Sequence, residues 1–223
     1  MSRPPATATG GVAIRYEDLP TCRACPRLAG YLDRLREQLP EYHCAPVPAW
    51  GSTRARLLIV GLAPGMHGAN RTGRPFTGDA SGYFLFEGLH GIGLVTHGDP
   101  VRARLRGVRI TNAVRCLPPQ NRPDLAELRR CSSYLQHELE DLWWPGVRRP
   151  RVVLALGRLA HQAVGFALSR RLPAFAHGAV SELAPHLWLA NLYHPSRQNT
   201  NTGRLTPLMR DRVLERVVSL LDS

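Results

Sequence analysis

Four short apolar runs separated by helical patterns are the feature that most limits how this chain can fold. The runs cover residues 57–60, 108–112, 152–156 and 187–192, each short enough for a buried strand. Apolar periodicity predicts helices over 26–39, 81–90, 123–143, 158–168 and 205–221. Because strands that alternate with helices form parallel sheets covered on both faces, we predict an α/β fold. Its expected form is a three-layer α/β/α sandwich around a short, mainly parallel four-stranded sheet.

The rest of the chain contains no repeat or linker that would divide this fold. Its 223 residues are 43% hydrophobic and 21% charged, which is typical of one compact domain. Residues 1–12 are rich in small residues and proline, so we expect a flexible tail before a single domain over 13–223. No apolar run approaches the roughly 20 residues of a membrane helix, and the N-terminus lacks a secretory signal. We therefore expect a cytoplasmic protein without a membrane partner.

The charge of the chain favours a polyanionic partner. The formal net charge is +12, the pI is about 10.6, and all 29 basic residues counted as lysine or arginine are arginine. Guanidinium groups bind phosphates bidentately and stack on bases, which suits a nucleic acid. A genomic base composition that favours arginine codons is the alternative explanation.

The cysteines indicate a metal site, because disulfides are rare in a reducing compartment. Cys22 and Cys25 form a C-x-x-C pair, which places two sulfurs on one ion or cluster. Cys116 and Cys131 are too far apart for a zinc ribbon, which favours a cluster that joins distant segments. The alternative is that these two are buried small hydrophobes and that the pair arises by chance. Cys44 has no partner at ligand spacing, so we expect it to be structural.

Glycine-rich and polar segments follow the predicted strands, where α/β sheets bind their ligands. The first segment, GLAPGMHGANRTGRPFTGD, contains neither of the two glycine motifs that hold nucleotide phosphates. Within it, Phe76 could stack on a base or pack into the core. Asp79 precedes a helical pattern, so it is either an N-cap or a carboxylate that takes part in chemistry.

Two further polar groups leave the sheet at the same edge. Asn112 ends the second strand and can offer a donor and an acceptor to the edge of a base, or it is an ordinary turn asparagine. His194 precedes Pro195 and can donate a hydrogen bond to a departing anion, although lone loop histidines are commonly solvated. Residues 197–201 could fill the gap left by an extruded nucleotide, or form a plain surface loop. Together these groups predict a pocket for a flipped base.

These motifs resemble those of the uracil-DNA glycosylase superfamily, and most closely its family 5, the type B enzymes with an iron-sulfur cluster. The resemblance covers nearly the whole chain after residue 20: the first segment is similar to that family's first motif and HPSRQNTNTGRLT to its second. It implies that Phe76 stacks on the base, Asn112 reads its edge and His194 stabilises the leaving base. The segment after Ser196 would enter the duplex. It also implies a 4Fe-4S cluster, whose ligands are Cys22, Cys25, Cys116 and Cys131.

The resemblance does not identify the residue that activates the attacking water. Other branches carry Asp or Asn near the start of the first motif, whereas this chain reads GLAP over 61–64, an absence that family 5 shares. Gly65 stands where alanine is expected, a mild departure. Asp79 is then the best candidate for a catalytic carboxylate, beside His194 and Asn112. The expected substrate-binding residues are Phe76, Asn112, Gly61, Ala63, Pro64, His67, Arg71, Arg197, Gln198 and Asn199.

The function implied by the resemblance is that of a monofunctional DNA glycosylase. Such an enzyme flips uracil and other deaminated or modified bases out of double-stranded DNA and hydrolyses the N-glycosidic bond, starting base excision repair. Because the chain has no lysine, a Schiff-base lyase is not expected. We expect a monomer that acts on double-stranded DNA containing uracil or another deaminated base. A non-catalytic iron-sulfur DNA-damage-binding module of the same fold and a zinc-dependent nucleic-acid enzyme are the alternatives.

Overall fold

A six-stranded sheet lies at the centre of the computed structural model, which describes residues 16–144 and 146–223. The predicted tail over residues 1–12 lies outside the described residues. Along the sheet the strands have the order β1-β3-β2-β4-β6-β5. In chain order they are β1 (Trp50–Gly51), β2 (Leu57–Gly61), β3 (Val108–Asn112), β4 (Arg151–Leu156), β5 (Val180–Ala184) and β6 (Leu187–Leu192).

The four inner strands, β2, β3, β4 and β6, are parallel and coincide with the four predicted apolar runs. The predicted strand number of four is wrong, because β1 and β5 add an antiparallel strand at each edge. The first has only two residues, and the second is mostly half-buried, so neither carries the continuous apolar run of a buried strand. The mainly parallel character of the sheet is confirmed.

The longer helices begin and end within two residues of their predicted limits. Two single-turn helices were not predicted, because four or five residues are too few to show an apolar period. The helices are α1 (Pro26–Gln38), α2 (Ala69–Thr72), α3 (Ala80–Gly91), α4 (Leu125–Leu142), α5 (Arg158–Ala167), α6 (Arg197–Asn201) and α7 (Pro207–Leu221). Short 3₁₀ helices cover Tyr16–Thr21 and Pro119–Asn121.

Helices cover both faces of the sheet, which confirms the three-layer α/β/α prediction. On one face α4 and α5 bury residues such as Leu135 and Val164 against β2 and β4. On the other face α3 and α7 bury Phe86 and Leu214. Across the part of the chain that the structure describes, no helix has the length and apolarity to cross a membrane.

The carboxyl ends of the parallel strands meet at one edge of the sheet. There the last residue of β2, Gly61, pairs with the last residue of β3, Asn112. The segments 62–80, 113–124 and 193–206 leave the sheet at this edge. The strand order therefore brings together the polar segments that the sequence singles out.

Candidate active site

Side chains from these segments converge on a cavity of about 410 Å³ at the carboxyl edge of the sheet. That volume lies within the range of pockets that bind small molecules. Seven of the residues predicted from the sequence line it: Ala63, His67, Phe76, Asp79, Asn112, His194 and Arg197. The structure thus brings the predicted ring, amide, carboxylate and imidazole into one space.

The floor of the cavity depends on Gly61 having no side chain. A Cβ on Gly61 would lie 2.5 Å from Asn112 Oδ1 and 2.6 Å from Phe76 Cε2. Phe76 is 7% exposed and has a φ of 51°, a left-handed conformation that disfavours large side chains. Gly82 leaves room for this conformation, because a Cβ at position 82 would collide with the Phe76 carbonyl. The ring and the Asn112 amide therefore both lie directly over Gly61.

His194 lies beside Phe76, with the two ring centroids 6.3 Å apart. Its backbone is fixed by Asn199, whose Nδ2 donates to the His194 carbonyl at 2.8 Å. Burial lowers the pKa of His194 to about 4, although the nearby Asp79 carboxylate acts in the opposite direction. The imidazole is therefore neutral near pH 7, with one N–H to donate and one nitrogen to accept.

Asp79 is the N-cap that its sequence position allows, and whether it also takes part in chemistry stays a prediction. Its Oδ1 accepts a hydrogen bond from Gly82 N at 2.9 Å and caps α3. Its Oδ2 lies against Gly65 and Gly68: a Cβ on Gly65 would be 3.0 Å away, and one on Gly68 would collide with it. Among the described residues no donor bonds to Oδ2, so one carboxylate oxygen is free to face the cavity.

Five of the predicted substrate-binding residues do not line the cavity. Gly61 lies beneath the floor, and Pro64 is buried in the same loop. The Nε of Arg71 donates to the His67 carbonyl at 2.9 Å, so this side chain ties its own loop together. Gln198 is exposed on α6, and Asn199 supports His194 as described above. Whether α6 enters a duplex stays a prediction.

Several residues that line the cavity were not predicted from the sequence. The most polar is Asn121, at the end of the 3₁₀ helix Pro119–Asn121. Gln120 and Asn121 have φ values of 55° and 57°, which turn the chain so that Asn121 reaches the cavity. Asparagine tolerates this conformation, so its place in a proline-rich loop after β3 is the signal that could have identified it. Tyr42, which does not line the cavity, contacts it indirectly, since its hydroxyl lies 2.9 Å from Nδ1 of the lining residue His67.

The cysteines form a second site, away from this cavity. Cys22, Cys25, Cys116 and Cys131 line one common cavity, and all four are free of disulfides. Two sulfurs already accept hydrogen bonds, since Arg115 N lies 3.4 Å from Cys131 Sγ and Arg130 Nη1 lies 3.8 Å from Cys25 Sγ. Cys44 is buried elsewhere, with its sulfur accepting from Asn70 Nδ2, as expected for a structural residue.

The chemistry of the four thiols suits a metal-sulfur cluster. Burial raises the pKa of Cys131 to about 12, and burial together with Cys131 raises that of Cys116 further. Thiols in such an environment are poor nucleophiles and become thiolates only when a metal binds them. Within residues 16–144 and 146–223, no three His, Cys, Asp or Glu side chains converge on a position for a single ion. The four cysteines line one cavity, and four is the number of thiolates that a four-metal cluster with one thiolate per metal atom would take.

Comparison with known proteins identifies the family to which this chain is similar. Residues 48–218 match the model of the uracil DNA glycosylase superfamily. The chain is 45% identical over 218 residues to the type-5 uracil-DNA glycosylase of Pyrobaculum aerophilum, covering 92% of each chain. It is 47% identical over 208 residues to that of Thermus thermophilus, covering 89% of this chain and 93% of the relative. A type-4 uracil-DNA glycosylase of Pyrobaculum aerophilum is 34% identical over 157 residues, or 70% of this chain and 65% of the relative.

Proposed function

Because the chain belongs to the uracil-DNA glycosylase superfamily, we propose that it removes uracil from DNA by hydrolysing the bond between the base and deoxyribose. This reaction starts base excision repair. The observation that carries the proposal is that Phe76, Asn112 and His194 line one cavity with Gly61 beneath them. The names of the relatives, type-5 uracil-DNA glycosylases, support the same activity.

Recognition of the base rests on Phe76 and Asn112. A base inside a duplex cannot reach the cavity floor, so the target nucleotide is extruded before it binds. Its ring stacks on Phe76, while the Asn112 amide donates to and accepts from its hydrogen-bonding edge. Since both side chains lie directly over Gly61, a single bound base can meet the ring face and the amide at the same time.

Bond breaking rests on His194. As the N-glycosidic bond lengthens, negative charge develops on the base and positive charge on the sugar. The neutral imidazole of His194 donates a hydrogen bond to the developing anion on the base. A preorganised donor of this kind typically contributes about 10² to 10³ in rate.

Asp79 is the group that faces the sugar side of the reaction. Its Oδ2 is free within the described residues and lies at the cavity wall. A carboxylate there favours the cationic sugar and accepts a hydrogen bond from the attacking water. Asn121 adds a second polar group at the cavity, whereas residues 61–64 offer no polar side chain.

We place a 4Fe-4S cluster in the cavity lined by Cys22, Cys25, Cys116 and Cys131. A cluster bound there would cross-link the start of α1, the loop after β3 and α4, and we assign it no part in bond breaking because its cavity shares no lining residue with the active-site cavity. Because Cys116 and Asn121 share one loop, this cross-link also steadies the segment that carries Asn121 to the active site. Iron and sulfide analysis separates this proposal from a zinc site, which would leave the protein colourless.

The partner is double-stranded DNA, bound by a monomer. Arg197 lines the active-site cavity as the first residue of α6, and the chain as a whole carries a net charge of +12. Contacts between arginine and phosphate weaken as salt rises, so affinity for a duplex falls steeply with ionic strength. Hypoxanthine and other deaminated bases are further substrates that the resemblance to family 5 suggests.

The test is excision from a panel of duplexes, each with a single uracil, hypoxanthine or cytosine opposite several bases. We expect free uracil and an intact strand that breaks only after alkali or heat. The cytosine duplex and the His194→Ala protein, purified in parallel, control for contaminating enzymes. Tight binding of the uracil duplex without release of the base would favour the non-catalytic module instead. A strand broken without alkali would contradict the monofunctional reaction.

A further inference from the structure

A buried group of charges lies against the cysteine cavity. Arg115 is 1% exposed, lines that cavity and lies 2.9 Å from Glu138 through its Nη2. Glu138 also accepts a hydrogen bond from the Tyr16 hydroxyl at 2.8 Å and lies 3.8 Å from Arg109. Two arginines and one glutamate leave this group with a surplus of one positive charge.

Arg115 has more hydrogen-bonding capacity than these neighbours use. Among the described residues, none of its three guanidinium nitrogens makes a well-directed hydrogen bond, even though Nη2 is at ion-pair distance from Glu138. The hydroxyl of Tyr134, a residue that is 1% exposed, also makes no well-directed hydrogen bond there, and it lies next to the Cys22 thiol. Both side chains line the cavity of the four cysteines. Because unsatisfied buried donors are rare in native proteins, two at one cavity indicate an acceptor inside it.

We propose that Arg115 and Tyr134 are the donors that retain the anionic metal-sulfur cluster and set its reduction potential. This inference rests on the cluster of the proposed function. Four thiolates bring negative charge into a cavity with apolar walls such as Leu28 and Val114, and buried charge requires compensation. Arg115 supplies the surplus positive charge and N–H donors, and Tyr134 supplies an O–H donor.

The two donors should change the reduction potential and the retention of the cluster, and not the rate of the reaction on DNA. Hydrogen bonds and positive charge near the sulfurs favour the more negatively charged, reduced state, which raises the reduction potential. They also oppose loss of the cluster, since that would leave the buried Arg115 guanidinium without an anionic acceptor in the cavity. Arg115 and Tyr134 are therefore positioning residues, outside the cavity that holds the base.

Two variants and a matched control test this inference. Tyr134→Phe removes one hydroxyl and Arg115→Gln removes one buried charge, both at the cavity. The control, Arg109→Gln, removes an arginine of the same charged group that does not line the cavity. On each purified protein we would measure iron and sulfide per chain, the rate of bleaching by a chelator in air, and the reduction potential by film voltammetry. Release of uracil is followed separately.

We expect a lower reduction potential and faster bleaching in Tyr134→Phe and Arg115→Gln, with a smaller change in Arg109→Gln. Wild-type values in the first two would overturn the inference, as would an equal effect in the control. If Arg115→Gln does not fold, Tyr134→Phe decides the question alone. A wild-type protein without iron would also overturn it, while its uracil release would still decide the proposed enzymatic activity.

Discussion

Gly61 and Asn112 face each other across β2 and β3 so closely that a Cβ on Gly61 would lie 2.5 Å from the Asn112 amide oxygen. The same Cβ would lie 2.6 Å from the ring of Phe76. Because the two residues end neighbouring parallel strands, the sheet itself sets their separation. The floor of the proposed uracil pocket therefore depends on the absence of one side chain.

Gly61→Ala tests this arrangement. The added methyl group has to displace the Asn112 amide or the Phe76 ring, and a misplacement of about 1 Å costs on the order of 10² in rate. We expect a loss of that size in single-turnover uracil excision, with the protein still folded. Gly91→Ala is the matched control, since a Cβ there has no neighbour within 4 Å. Equal rates for the two variants would refute the role of Gly61.

Asp79→Asn separates the two roles of Asp79. Asparagine caps helices about as well as aspartate, so the free energy of unfolding should change little. The negative charge near the sugar is lost, and we expect excision to slow by about 10² or more. Urea unfolding and single-turnover rates on the same preparation check both parts. A folded Asp79→Asn protein with full activity would make Asp79 a helix cap only.

The lowered pKa of His194 makes the free energy of unfolding depend on pH. The ordinary imidazole pKa is about 6.5, whereas burial holds that of His194 at about 4. Between these values the unfolded chain binds a proton that the folded chain excludes, so acidification destabilises the fold. The loss begins below about pH 6.5 and is complete only below about pH 4. Urea unfolding at pH 7 and pH 5 should show a smaller loss in His194→Gln than in wild type; identical losses would show that this residue is not the cause.

Much of the fold follows from the sequence because buried strands and amphipathic helices have apolar periods. The four parallel strands and the five longer helices were predicted on that basis. The edge strands escaped prediction, since β1 has two residues and β5 is mostly half-buried. Their pairing depends on the sheet already being present, which no local pattern encodes.

The site was predictable where a strand end or an unusual loop composition marks a residue, and unpredictable where only the conformation of a loop does. Asn112 ends β3 and His194 follows β6 by two residues, so the sheet brings them together. Phe76 and Asp79 reach the same cavity through the glycine-rich loop after β2, which the sequence singles out by its composition. Asn121 reaches the cavity through two left-handed residues, and Arg71 turns back to its own loop. Such side-chain directions depend on tertiary contacts, so sequence patterns do not reveal them.

Substitution of one cysteine of the cavity tests whether the cluster serves the fold or the bond-breaking step. Cys22→Ala should lose iron, unfold at lower denaturant concentration and bind DNA more weakly, because a cross-link between distant segments is weakened. Molecules that remain folded should break the glycosidic bond at a rate close to wild type. Cys44→Ala is the control, since Cys44 is buried away from this cavity and should leave iron content unchanged. A stable Cys22→Ala protein that binds DNA but cannot excise uracil would place the cluster within the catalytic step.

The most direct test of the account is the single-turnover rate of uracil release by wild type and His194→Ala, with enzyme in excess over a uracil-containing duplex. We predict complete conversion to an abasic site by wild type and a rate about 10² to 10³ lower in His194→Ala, with DNA affinity unchanged. Equal rates for the two proteins, or a wild type that binds the duplex and releases no uracil, would contradict it.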